Sequence, residues 1–149
     1  MAGIYTAEAI RPDNSVGYLI SKVRLQVYSH VDRALAPYDM TAAQFSIMAH
    51  LAYDIADSAS ALCSGMSYDP GAMTRMVDRL EAKGLVRRVR GRDDRRKVRL
   101  ELTKEGRAAF PEMMERVVEV LNGLLKGFTK AEASQLQDFL KRMLVNAGA

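Results

Sequence analysis

Apolar residues recur at Val16, Leu19, Ile20, Val23, Val27, Val31 and Leu35, the spacing of one helical face, and Pro37 closes that segment. Before it, residues 1 to 14 show no period; with Pro12, Asp13 and Asn14 they read as an arm or short helix. Thr41 followed by Gln44 is a capping-box pattern, and Phe45, Ile47, Met48 and Leu51 supply the apolar set of a second helix ending near Tyr53. Asp54 to Asp57 reads as a connector. Ser58 to about Met66 reads as a short helix ending near Gly65. Asp69 then stands as an N-cap with Pro70 at the first helical position. In the helix that follows, Met73, Met76, Val77 and Leu80 form the buried face, which turns Thr74, Arg75, Asp78 and Arg79 to solvent. Gly84 stops it.

After Gly84 the period changes from 3.6 to 2. Val98, Leu100 and Leu102 alternate with Arg99 and Glu101, the pattern of a half-buried strand, and Leu85 to Arg90 is its expected partner. Gly91 to Lys97 becomes the tip of a charged hairpin, with Arg99 and Glu101 read as plain solubilising charges. Thr103 opens a long helix with a stripe of Met113, Val117, Val120, Leu121, Leu124 and Leu125, interrupted at Gly127. Thr129 and Glu132 form a second capping box before a last helix marked by Leu136, Phe139, Leu140, Met143 and Leu144. The prediction is a mostly α fold with a small β-wing.

The chain has 149 residues, 48% hydrophobic and 27% charged, which suits one domain with its own core. A lone Cys63 excludes an internal disulfide, and with only His30 and His50 beside it no metal site or cofactor is expected. Cys63 itself reads as a small buried hydrophobe. No run of 18 apolar residues and no signal-peptide core is visible, so a cytoplasmic protein without membrane contact is expected.

The formal net charge of +4 is a mild hint; its distribution says more. Between Lys83 and Arg99 lie nine basic residues (Lys83, Arg87, Arg88, Arg90, Arg92, Arg95, Arg96, Lys97, Arg99) against Asp93 and Asp94, a local balance of +7 against −3 for the rest. Such a segment suits a surface that meets a polyanion. No acid, base and nucleophile come together in a recognisable pattern, so catalysis is not expected.

A helix, a short helix, an exposed-polar helix and a ribbon with a cationic tip, in that order, describe a winged helix-turn-helix. The exposed helix fits the major groove of double-stranded DNA, where base edges differ for all four pairs. Thr74 and Arg75 are the candidate base readers, because arginine can grip guanine with two hydrogen bonds and threonine offers a hydroxyl and a methyl. Arg79, one turn on, suits a phosphate. The tip, with Arg92, Asp94, Arg95, Arg96 and Lys97, suits the adjacent minor groove.

The run DPGAMTRMVDRLEAKGLVRRVRGRDDRRKVRLELTKEGRAAF, Asp69 to Phe110, resembles the recognition helix and wing of the MarR family of bacterial transcription regulators. Asp94-Arg95-Arg96, followed by Leu102-Thr103 and Gly106, is similar to that family's wing signature and the start of its long dimerisation helix. Helix order agrees from about Val16 to Asn146. The resemblance implies a homodimer, with 16–37 and 104–146 as dimerisation helices and 41–102 as the DNA-binding module. By the same resemblance Arg96 is the minor-groove arginine and Asp94 the acid that holds it in place. Where the family usually has glycine at the turn before the second helix, this chain has Asp39, which tolerates a left-handed conformation better than most residues.

The resemblance further implies a repressor of a pseudo-palindromic operator, released by a small aromatic or phenolic anion in a cleft between dimerisation helices and winged module. Tyr18, Ser21, Arg24, Tyr28 and Met48 are the candidate lining residues, with Arg24 as partner for a carboxylate. A rival reading is a winged-helix protein-interaction module whose basic wing binds an acidic partner protein.

Overall fold

Each α-helix among the described residues opens on a serine, threonine or aspartate whose side-chain oxygen accepts the backbone N–H three residues on, so one orphan donor at each of the six starts is satisfied locally. The caps are Ser15 for α1 (Val16–Leu35), Thr41 for α2 (Ala42–Ala52), Ser58 for α3 (Ala59–Met66), Asp69 for α4 (Pro70–Ala82), Thr103 for α5 (Lys104–Leu124) and Thr129 for α6 (Lys130–Asn146). Thr41 with Gln44 and Thr129 with Glu132 are both complete capping boxes. The strands β1 (Val86–Arg90) and β2 (Val98–Leu102) pair antiparallel, Arg88 opposite Leu100. This computed structural model describes residues 3–91 and 93–149.

Helix ends follow backbone conformation. Asp39 closes the α1–α2 turn at φ 53°, the left-handed value anticipated for it, and Gly84 ends α4 at φ 72°. The end of α3 differs from expectation. Gly65 lies within the helix, and Ser67 takes the left-handed C-terminal position at φ 57°, its N–H bonded to Cys63 O. Pro12–Asn14 forms a single 3₁₀ turn.

The core is organised around α2, which is apolar on most of its circumference: Phe45, Ile47, Met48 and Leu51 are all buried. Leu62 from α3, Met73, Val77 and Leu80 from α4, Val86, Leu100 and Leu102 from the hairpin, and Phe110, Met113 and Val117 from α5 close over it. The Phe45 and Phe110 rings stack at 5.4 Å. Each such side chain contributes about 1.5–3 kcal/mol by leaving water. Gln44, the buried polar residue of this core among the described residues, is satisfied: its Oε1 accepts from Thr41 N and from Lys83 Nζ.

Two joints fix the hairpin to the helices. Thr103 donates its backbone N–H to Leu85 O and its hydroxyl to Gly84 O, while the same hydroxyl accepts from Gly106 N. Gly106 is pressed so close to the Leu85 carbonyl that an added Cβ would overlap its oxygen. At the other joint, Leu100 donates its N–H to Asp57 O at 2.7 Å, so the connector after α2 adds one rung to the outer edge of β2. Val98, expected to face inward, lies beyond that rung and is exposed.

The long apolar stripes divide. On α1 only Val31 and Leu35 are buried, while Val16, Leu19, Ile20 and Val23 stay open; on α5 Met113 and Val117 are covered, but Leu121 and Leu124 are not. On α6 no residue is buried, and Leu136, Phe139, Leu140, Met143 and Leu144 all face outward. No described helix is long and apolar enough to cross a membrane.

Candidate nucleic-acid interface

The outer face of α4 carries Thr74, Arg75, Asp78 and Arg79, all exposed, above the buried Met73, Val77 and Leu80. The Thr74 hydroxyl donates to Pro70 O at 2.9 Å, which leaves its methyl and lone pairs outward. Arg75 folds back along the first turn, its guanidinium 3.4 Å from where a side chain at Gly71 would stand. Arg79 borders a groove shared with Asp39, Thr41, Gln44 and Lys83. Thr74 also lines a groove with Arg88, Val98 and Leu100, so the solvent face of α4 and the wing lie side by side.

The nine-cation segment separates into two populations. Lys83 caps the C-terminal end of α4 and reaches the Asp39 carbonyl and carboxylate; Arg87 pairs with Glu101 across the hairpin; Arg88 holds Asp78 and Glu81; Arg99 pairs with Asp57 at 3.2 Å. Arg99 and Glu101 are therefore clasps between elements, not the free solubilising charges their pattern suggested. Arg90, Arg95, Arg96 and Lys97 make no ion pair with an acid among the described residues. These four cations are thus unspent among the described residues. Arg92, also assigned to the tip, lies outside the described residues.

Asp94 meets Arg96 through the main chain: its carboxylate accepts the Arg96 backbone N–H at 2.9 Å, a two-residue turn that shapes the tip. Gly91 N donates to Lys97 O and Lys97 N to Asp94 O, completing the loop. Arg95, Arg96 and Lys97 project from it, exposed.

The cleft candidates distribute unevenly. Tyr18, Ser21 and Arg24 are exposed on α1, Tyr28 is half-buried, and the Arg24 guanidinium sits 5.0 Å over the Tyr28 ring. Met48, on the inner face of α2, is wholly enclosed in the core. Tyr68, which periodicity had no means of flagging because it stands in the link before α4, joins this neighbourhood: burial, and then the nearby Tyr28 phenol, raise its pKa above the ordinary tyrosine value. His30 and His50 each donate Nδ1–H to a carbonyl one turn back, Gln26 O and Ser46 O at 2.7 Å. Cys63 is half-buried.

A polar helix laid open beside a two-stranded cationic wing, both anchored on a shared core, defines a winged helix-turn-helix DNA-binding protein. Comparison with known proteins narrows the class. The MarR family model matches residues 40–98. The multiple antibiotic resistance protein MarR of Escherichia coli K12 is 34% identical over 130 residues, covering 87% of this chain and 90% of that protein. A MarR variant from E. coli complexed with operator DNA superposes with a TM-score of 0.78 at 32% identity, over 91% of this chain and 99% of that one. CouR from Rhodococcus jostii RHA1 bound to p-coumaroyl-CoA gives 0.78 at 28% identity, over 88% and 92%. The chain belongs to the MarR family and is a DNA-binding transcription regulator.

Proposed function

We propose that two copies of the chain pair through the 16–37 and 104–146 helices and present two 41–102 modules to a pseudo-palindromic operator, with half-sites about 34–36 Å apart. Thr74 and Arg75 read base edges, Arg79 meets phosphate, and Arg92, Arg95, Arg96 and Lys97 enter the flanking minor groove from a tip shaped by Asp94. The observation that carries this reading is the juxtaposition of Thr74 with Val98 and Arg88 in one groove, which sets the open face of α4 against a wing whose tip cations have no acidic partner among the described residues. The pairing is supported by the uncovered apolar residues of α1, α5 and α6, a surface too extensive for an isolated soluble chain. The operator complex of the MarR variant supports the partner.

The regulator acts as a repressor released by a small aromatic or phenolic anion. The ligand named for CouR, p-coumaroyl-CoA, carries a phenolic acyl group, which supports the phenolic part of that reading. Tyr18, Ser21, Arg24 and Tyr28 are the residues that offer it aromatic contact and a guanidinium. Release requires that the effector bind the DNA-incompetent arrangement more tightly, since only that difference moves the equilibrium.

Fluorescence anisotropy with duplexes selected from a random pool, repeated across salt concentrations, tests the reading. Affinity should fall steeply with salt; a flat dependence would remove the phosphate-neutralising role of the wing. Arg75→Ala should cost roughly 1–3 kcal/mol and relax sequence preference, whereas Arg79→Ala should weaken all duplexes alike.

A further inference from the structure

The DNA-facing side of α4 carries a contradiction. Asp78 lies one turn beyond Thr74 and three residues beyond Arg75, and Glu81 follows on the next turn, so two carboxylates stand on a helix that must approach a polyanion. Both acids are engaged by one side chain. Arg88 Nη2 lies 2.6 Å from Asp78 Oδ1 and Nη1 lies 2.9 Å from Glu81 Oε1, while the Arg88 backbone N–H donates to the second Glu81 oxygen at 3.1 Å. The guanidinium is a planar fork, and here its two tines are spent on two different acids of one helix.

We propose that Arg88 is a positioning residue for operator recognition: a strut from β1 to α4 that fixes the spacing of wing and reading helix and screens Asp78 and Glu81 from the DNA phosphates. Three observations carry it. Arg88 stands on the hairpin stem opposite Leu100, which is buried in the core, so its anchor on the wing is rigid. Its side chain is two-thirds covered, although it is arginine on an outer strand. It also lines the groove shared by Thr74 and Val98, the place where a change in the distance between α4 and wing would be felt. The hydrogen bonds to Asp78 and Glu81 raise the guanidinium pKa, in keeping with a charge held in its ionised form. A base-reading side chain works only when its supporting residues fix its position, so loss of the strut degrades sequence discrimination before it degrades general attraction to DNA.

The inference rests on the proposed use of α4 and the wing for DNA, and the test separates the two. Duplexes are selected from a random pool by the native protein, and native and variant affinities are measured by anisotropy on a selected duplex and on a random duplex of equal length. Arg88→Lys keeps the charge but, as a point donor, cannot span both acids; it should lose about tenfold on the selected duplex and stay within about twofold on the random one. A variant combining Asp78→Asn, Glu81→Gln and Arg88→Met removes the charges together with the strut, and should show the same loss of preference. A fold merely weakened at this place lowers the active fraction equally for both duplexes and leaves their ratio unchanged. An unaltered ratio in Arg88→Lys, equal losses on both duplexes, or full recovery in the triple variant would each overturn the strut. Failure of the native protein to enrich any duplex would instead overturn the proposed function, and this inference with it.

Discussion

Asp94 accepts its hydrogen bond from the backbone N–H of Arg96, at 2.9 Å, and not from the guanidinium. The acid therefore acts on the path of the chain. Asparagine presents the same oxygen to the same N–H, so Asp94→Asn should bind a selected duplex within about twofold of the native protein, whereas Asp94→Ala should lose about 1 kcal/mol. Equal losses for the two, measured by anisotropy, would return the role to the carboxylate charge.

Gly106 admits no side chain. A Cβ there would overlap Leu85 O, a backbone atom that cannot rotate away. Gly106→Ala should destabilise the protein by about 2 kcal/mol or more in urea-induced unfolding, because the α5 start must back away from the turn after α4. A change below about 0.5 kcal/mol would show that the approach is looser than this overlap implies.

Lys83 joins the last turn of α4 to the α1–α2 turn through Asp39 O and to the core through Gln44 Oε1 at 3.3 Å. Lys83→Met retains most of the stem but strips donors from two acceptors, one of them on a buried side chain. The expected cost is about 1–2 kcal/mol by chemical denaturation, with the m-value unchanged. No loss would mean that water replaces the ammonium freely.

Phe139 and Leu140 stand on the open face of α6. If this face pairs with a second copy, the melting temperature rises with protein concentration, and Phe139→Glu abolishes both the dependence and the dimer in sedimentation. A monomeric native protein at micromolar concentration would refute the pairing.

Glu132 accepts the Thr129 backbone N–H and hydroxyl, and these bonds hold its carboxyl below the ordinary glutamate value. A folded-state pKa that is lowered contributes stability above the unfolded pKa and loses it as pH falls through the folded one. Helix content followed by circular dichroism should therefore decline in acid below the usual carboxylate range, less so in Glu132→Gln, where the amide oxygen keeps the cap. Identical acid profiles would remove Glu132 from the cause.

Caps and periods were the most legible features of the chain, because each depends on residues within one turn of each other. Asp69 with Pro70, both capping boxes and the Met73–Leu80 face stood in the sequence as they stand in the fold. Contacts across long separations were not legible. Arg99 meets Asp57 over 42 positions, and Arg88 meets Asp78 over 10, so a count of charges could not tell clasp from free cation. The depth of Met48 was illegible for a related reason: a methionine on a helix declares that it is apolar, but not whether its neighbours close over it. Tyr68 lay outside any period, and only folding brought it against Tyr28.

The rung between Leu100 N and Asp57 O makes the wing a borrowed structure. A lone two-stranded ribbon is marginal in water, and here its outer edge is finished by a segment that arrives from the far side of α3 and α4 in the chain. An engineer exchanging wings among relatives would therefore have to carry residues 52–60 along with 85–103. Transplanting the ribbon alone would leave an unfinished edge and an arm with no fixed direction.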